Sequence, residues 1–317
     1  MISIMSYWQI LLLILPVFML IAIGVGMRRL AWLSAEAESS LLKMVVNFLY
    51  PCLIFENVLN NDALRVPSNL ALAPLLGLVL MVLTIVASLY AGRALGLTQG
   101  HGLRTFAFAA GINNYGYIPI PLMAALFGTE SLGVLLVYNV GCEAAIWTAG
   151  ILVLSGLSLR EGWRKLINAP VIALVLALAG NLLGVGPHVP NFAREVIHQS
   201  AICAIPLGLL LIGGTLEQYF AKPRELFEPK VTFSATLLRL GVYPLLYLVV
   251  AKYLPCTAEL KRVLIVQAAM PAGILPIVIA KHYGGHPLTA VRVVIGTTVL
   301  GILVIPLWIR LGLAWVF

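Results

Sequence analysis

Charge is what this chain has least of: of 317 residues only 20 are Lys or Arg and 12 are Asp or Glu. That 10% charged fraction compares with about 25% in soluble domains. With 61% hydrophobic residues, the chain cannot clothe a water-soluble fold. Long polar segments are also missing. The longest polar links are Ala31–Ser40, Leu157–Asn168 and Glu217–Lys230, too short for a soluble domain. Cysteine is sparse: Cys52, Cys142, Cys203 and Cys256 lie in or beside apolar segments without metal-like spacing, and read as small hydrophobes. No basic n-region precedes the first apolar run, whereas Arg28 and Arg29 follow it, so that run reads as an uncleaved helix with its N-terminus outside.

What is present is apolar sequence in long pieces. Trp8–Met27, Ala71–Gly92 and Thr105–Thr129 carry no charge and each exceeds the ~20 helical residues that cross a bilayer core. They are too long, and too often broken by Gly and Pro, for the ~10-residue alternating strands of a membrane barrel. The breaks delimit ten expected spans: 7–27, 41–60, 70–92, 103–127, 130–156, 169–185, 194–216, 231–253, 259–282 and 288–312. Odd-numbered connections hold 13 Lys and Arg, and even-numbered ones with the C-terminus hold 6. Odd connections are therefore expected in the cytoplasm and both termini outside it. The net charge of +8 reads as this topological bias rather than as a nucleic-acid surface.

Prolines expose an internal repeat. Pro51 and Pro121 superpose on Pro206 and Pro276 at an offset of 155, and Pro16 on Pro170 at 154. The repeat predicts an all-α membrane protein of two five-helix halves, 1–157 and 169–317, joined by a cytoplasmic linker, 158–168. Because each half has an odd number of spans, the second must enter the membrane inverted, as in many secondary transporters.

The fourth span reads Ala110-Gly111-Ile112-Asn113-Asn114-Tyr115-Gly116-Tyr117-Ile118-Pro119-Ile120-Pro121, and the ninth Gln267-Ala268-Ala269-Met270-Pro271-Ala272-Gly273-Ile274-Leu275-Pro276. Proline removes a donor and displaces the carbonyl four residues before it, and in lipid the freed groups need partners. At ~1.5 Å per residue, Asn114 and Pro271 lie ~16 Å from opposite faces, near the middle of a ~30 Å core. Two helices broken there present half-helix N-termini and free N–H groups to an anion. The candidate binding residues are Asn113, Asn114, Tyr115, Pro121, Gln267, Met270, Pro271, Ala272 and Gly273. The bland alternative is that Pro and Gly only shape packing and that Asn bonds between helices.

Two charges lie deep within spans. Glu143, ~20 Å into the fifth, reads either as a proton-coupling carboxylate or as a structural acid bonded to a neighbouring helix. Arg239, in the eighth, reads as a counter-charge for a substrate carboxylate or as a side chain that snorkels along its long stem to the cytoplasmic surface or pairs within the protein, the latter two being favoured. Glu56 and Lys281 are expected at solvated rims, and Trp8, Trp32, Trp163 and Trp308 in the aromatic belt. His282 and His286 have i, i+4 spacing, but Gly284 and Gly285 break the helix that a two-His metal face needs, so no metal is expected.

The ninth-span string Gln267 to Tyr283, followed by His286-Pro287, resembles the signature of the PIN-FORMED carriers in the auxin efflux carrier family. Asn114-Tyr-Gly-Tyr-Ile-Pro-Ile-Pro-Leu122 is similar to their fourth-helix pattern, and Arg164-Lys-Leu-Ile-Asn-Ala-Pro170 resembles the lead into their sixth helix. The resemblance implies a bile-acid-symporter or NhaA-like transporter fold with broken, crossing helices 4 and 9, and a scaffold domain that dimerises. It implies a transport domain with elevator motion, and an organic carboxylate held by crossover backbone and asparagine. By position, Asn114 is the substrate-binding asparagine, and Pro121 and Pro271 shape the crossover. The large central loop of many plant members is absent, Pro119 stands where Gly is usual, and Ala272 replaces a polar residue. Asn168 lies one place before a binding asparagine of the plant carriers. The compact form resembles bacterial members that include malate and malonate carriers.

The leading expectation is a secondary carrier of small organic anions in the cell membrane, homodimeric, without a cofactor or a nucleic-acid partner. A gated anion channel and a sodium-coupled organic-anion symporter are the alternatives. An enzyme is not expected, because no nucleophile with an evident base, no His/Glu metal motif and no aspartate pair occurs within the spans.

Overall fold

A computed structural model describes residues 5–98, 102–155, 166–220, 223–226 and 228–317. Expectations on Arg160, Trp163, Arg164, Lys165 and Lys222, and on most of the 158–168 linker, fall outside the described residues. Among the described residues the regular structure is helical, apart from one isolated β-bridge. Among the described residues, seven helices are long and apolar enough to cross a membrane.

In chain order the main helices are α1 (Tyr7–Arg29), α2 (Ala35–Val58), α3 (Pro67–Ala94), α4 (Leu103–Gly111) and α5 (Pro119–Leu154). They continue as α6 (Ala169–Leu182), α7 (Asn191–Phe220), α8 (Pro229–Tyr253), α9 (Ala258–Ala269), α10 (Leu275–His282) and α11 (Pro287–Val316). Proline opens α3, α5, α6, α8, α10 and α11 in the first turn, where its missing N–H has no intrahelical acceptor to lose. Ser6 and Gln9 close a capping box on α1, and Arg28 and Arg29 stand at its negative end. The second span starts at Ala35 rather than 41: Ser34 caps the Ala37 N–H at 3.1 Å, drawing part of the expected polar link into the helix.

The fourth and ninth spans are both broken. The fourth runs as α4, a non-helical stretch 112–118 and the first leg of α5, which Gly128 ends in the left-handed region at φ 75°. The ninth runs as α9, a break at 270–274, and α10. Met270 takes an extended conformation (φ −74°, ψ 136°), as the residue before a proline is driven to do, and this ends α9.

Two groups of helices pack mainly among themselves and meet where α1 lies against α11 and α2 against α5. One is α1, α2, α6 and α7; the other is α3, α4, α5, α8, α9, α10 and α11. The first group is drawn together where α1 crosses α7: a Cβ at Gly24 would stand 2.1 Å from the Leu210 carbonyl oxygen, and one at Gly213 only 2.0 Å from that of Ile21. In the second group α3 and α5 approach as closely, since a Cβ at Gly141 would stand 1.8 Å from the Pro74 oxygen. Small residues at such crossings let backbones approach where no hydrophobic force drives helices together. Large apolar side chains such as Leu12, Met19, Val175, Leu183, Val249 and Leu303 stay exposed, as lipid contact requires.

Wide π turns interrupt α2, α5 and α8 at Val45–Leu49, Ile146–Gly150 and Leu238–Val242. Pro244 displaces the carbonyl of Leu240, four residues before it, and Trp308 donates its Nε1–H to that oxygen at 2.6 Å. Trp308 is therefore half-buried, held by the neighbouring helix. Trp8 and Trp32 are well exposed.

Candidate functional site

The two breaks meet. Asn114 donates its backbone N–H to the Pro271 carbonyl at 2.7 Å, and Gly273 donates its own to Ile112 at 3.0 Å, pairing Asn113 with Ala272 in an antiparallel bridge. Backbone groups that two helices gave up at their interruptions thus satisfy one another. Gly273 is needed there, because a Cβ would stand 2.9 Å from the Asn113 oxygen. Gly111 is needed one step earlier, where α4 presses on α3 and a Cβ would lie 2.5 Å from the Ile85 Cα.

Side chains lock the crossing. Asn113, fully buried, donates its amide to Gln267 Oε1, and Gln267 Nε2 donates to the Tyr115 carbonyl at 3.2 Å. Asn113 Oδ1 is buried without a partner among the described residues. Asn114 is half-buried, and its Oδ1 caps the Ile118 N–H at 3.3 Å. Met270, Pro271, Ala272 and Gly273 are buried and reach the crossing through backbone alone, with the Ala272 N–H donating to Thr297 Oγ1 at 3.1 Å. Pro121 lies in the first turn of α5.

Beyond the crossing, the chain direction turns helical again twice. The N–H groups of Tyr115, Gly116 and Tyr117 before α5, and of Ile274 and Leu275 at α10, have no hydrogen-bond acceptor among the described residues, and these positions are half-buried. Two half-helix starts with open donors form an electropositive setting for a carboxylate. This setting touches the other helix group: Tyr117 lies over Gly208 of α7, where a Cβ would be 2.2 Å from its ring, and the Tyr50 hydroxyl of α2 lies 3.2 Å from a Cβ at Gly116.

Glu143 is joined to the crossing rather than isolated. The Tyr115 hydroxyl donates to Glu143 Oε1, and Trp147 Nε1–H donates to Oε2 at 2.9 Å. Trp147, one turn along α5, was not singled out in the sequence; its i, i+4 spacing from the acid deep in that span was the available signal. Arg239 does not snorkel. It is fully buried, donates from Nη1 to the Gly111 carbonyl at 3.3 Å, and lies over the rings of Tyr243 and Tyr247 at 5.1 and 5.8 Å. Glu56, expected at a solvated rim, faces His198 of α7.

Pairs at the repeat offset recur around this centre. Asn113 and Gln267 are 154 residues apart, and Ser88 and Tyr243, whose hydroxyls lie 2.6 Å apart, are separated by 155. Thr84 Oγ1 reaches the Gly111 carbonyl at 2.7 Å, the same oxygen that Arg239 holds from 155 positions further on.

Comparison with known proteins agrees with this architecture. The sequence model of a family described as membrane transport protein matches residues 9–161 and 157–309. A protein described as an uncharacterized transporter in Methanothermobacter thermautotrophicus is 28% identical over 305 residues, 93% of this chain and 96% of that one. Auxin efflux carrier component 8 of Arabidopsis thaliana is 22% identical over 348 residues, 90% of this chain and 93% of the relative. Component 3 from the same plant is 31% identical over 165 residues, 51% of this chain and 26% of its own length. The chain belongs to the auxin efflux carrier family of multi-pass membrane transport proteins.

Proposed function

We propose that the chain is an elevator-type secondary carrier of small organic anions, built from ten spans as two inverted five-helix repeats with the crossing of helices 4 and 9 as its binding site. The repeat reading is supported by contacts between positions 154 or 155 apart, the offset of the prolines. The helices α1, α2, α6 and α7 then form the scaffold, through which the carrier dimerises, and the remaining helices form the transport domain. Tyr117 on Gly208 and Tyr50 at Gly116 mark the surface along which the two would slide. Both termini face away from the cytoplasm, in the cell membrane.

The antiparallel pairing of 112–114 with 271–273 carries this reading. It holds two half-helix N-termini together without placing a fixed carboxylate between them, which favours an anionic ligand over a cationic one. The ligand's carboxylate meets the open N–H groups before α5 and at α10, and the Asn114 amide adds hydrogen bonds. Mono- and dicarboxylates of malonate, malate or indole-acetate size fit this chemistry. Glu143, tied to the site by Tyr115, is the proton-coupling group.

A thermal-shift panel on the purified protein tests the site, since a ligand stabilises the state that binds it. At least one of malonate, malate and indole-3-acetate raises the wild-type Tm, and Asn114→Ala abolishes that rise while keeping the unliganded Tm. An Asn114→Ala protein with unchanged affinity refutes the crossover site.

A further inference from the structure

Arg239 is first among the largest fully buried side chains of the described residues, and it carries a guanidinium cation. It has no ion-pair partner among the described residues, and its Nε and Nη2 have no hydrogen-bond partner there. A buried cation without an anion is expensive to desolvate, so its surroundings must supply negative potential. Two sources are present. The faces of Tyr243 and Tyr247 lie at 5.1 and 5.8 Å, and Nη1 rests at 3.3 Å on the carbonyl of Gly111, the last residue of α4. The C-terminal end of a helix carries a partial negative charge, and in carriers with broken helices such ends and freed carbonyls hold the coupling cation. The repeat sharpens this. Arg239 stands at the position equivalent to Thr84, 155 residues earlier, and Thr84 Oγ1 reaches the same Gly111 oxygen at 2.7 Å. One half gives that oxygen a hydroxyl; the other gives it a full charge.

We propose that Arg239 is a tethered cation that permanently fills the coupling-ion position at the end of α4, so that the carrier needs no sodium there. The inference rests on reading the crossing as the transport site. Truncating the side chain leaves the Gly111 carbonyl, the Thr84 hydroxyl and two tyrosine faces around a guanidinium-sized void.

The experiment compares Tm of the full-length wild type with Arg239→Ala, Arg239→Thr and Arg239→Gln in sodium, potassium and choline chloride, each with and without millimolar guanidinium. The wild type is expected to have one Tm in all three salts and to ignore guanidinium. The neutral variants are expected to lose Tm in choline and to regain it saturably with guanidinium, and in part with sodium. Arg239→Gln keeps most of the volume, so it serves if the smaller variants do not fold. Folded neutral variants indifferent to every cation, or a wild type saturably stabilised by sodium, overturn the proposal. A second arm adds malonate, malate and indole-3-acetate in turn to the wild type. Equal anion-induced shifts in sodium and choline support the proposal. A shift that requires sodium overturns it and leaves the anion-carrier reading standing, whereas no shift in any salt refutes the carrier reading and the coupling role of Arg239 with it.

Discussion

Asn113 and Gln267 meet side chain to side chain where two interrupted helices cross, and they are 154 residues apart in a chain whose prolines repeat at 154 and 155. Equivalent positions of two inverted copies can touch only near the axis that relates them. On the inverted-repeat reading proposed above, the contact would lie where a rotation in the membrane plane exchanges the halves, the place at which inverted-repeat carriers put their ligand. Both side chains are uncharged amides. They span the crossing with hydrogen bonds but leave its charge balance to the backbone and the ligand.

This contact predicts a non-additive pair. Asn113→Ala strands Gln267 Oε1 and Gln267→Ala strands the Asn113 amide, each in a buried site where an unmet polar group costs about 1–3 kcal/mol. The double variant removes both partners together. Its loss of stability is expected to fall below the sum of the single losses by about 1 kcal/mol or more, a coupling typical of residues in contact. Unfolding of the four proteins in one detergent measures it, and additive losses would place the two amides in separate networks.

The α1–α7 crossing gives a second prediction. At Gly213 of α7 a Cβ would stand 2.0 Å from the Ile21 oxygen of α1, whereas at Gly26 of α1 it would meet nothing within 4 Å. Gly213→Ala must push two backbones apart and is expected to destabilise by about 1–3 kcal/mol, as overpacking does. Gly26→Ala adds helix propensity in open space and is expected to be neutral or to stabilise by less than about 1 kcal/mol. Tm and monodisperse yield separate the two outcomes, and equal behaviour would mean that the helices do not cross at these glycines.

The crossing was legible in the sequence because broken helices are written in Pro and Gly, and a broken helix in lipid must satisfy its freed groups. Asn113, Asn114, Tyr115, Gln267 and Gly273 accordingly lie together. Helix faces were not legible. In a bilayer, apolar residues serve lipid and core alike, so nothing in the pattern of α1 or α7 marked Gly24 and Gly213 as the points of approach. The snorkelling reading of Arg239 fails for a related reason. Eight residues into a span, a long stem can reach the surface, and only the wide turn at Leu238–Val242 and the Gly111 carbonyl decide that it turns inward. The contact of Trp308 was not legible because the carbonyl it serves is freed by Pro244 in another helix. Such pairings exist only after folding.

Glu143 carries the last prediction. Its two oxygens accept from Tyr115 and Trp147, so its ionised form is satisfied through one residue of the crossing and one turn of its own helix. A proton taken up there would turn an acceptor of the Tyr115 hydroxyl into a donor and alter the side chain that adjoins the open N–H groups, giving a direct route from protonation to the ligand. Glu143→Gln has nearly the same shape and retains an oxygen for Tyr115, but cannot ionise. In proteoliposomes, its uptake of whichever carboxylate stabilises the wild type is expected to continue under counterflow and to lose acceleration by a pH gradient. Trp147→Phe leaves the charge and the Tyr115 contact in place, so it is expected to keep the gradient response with reduced stability. Equal gradient dependence in wild type and Glu143→Gln would remove this carboxylate from coupling and leave it a structural link between α5 and the crossing.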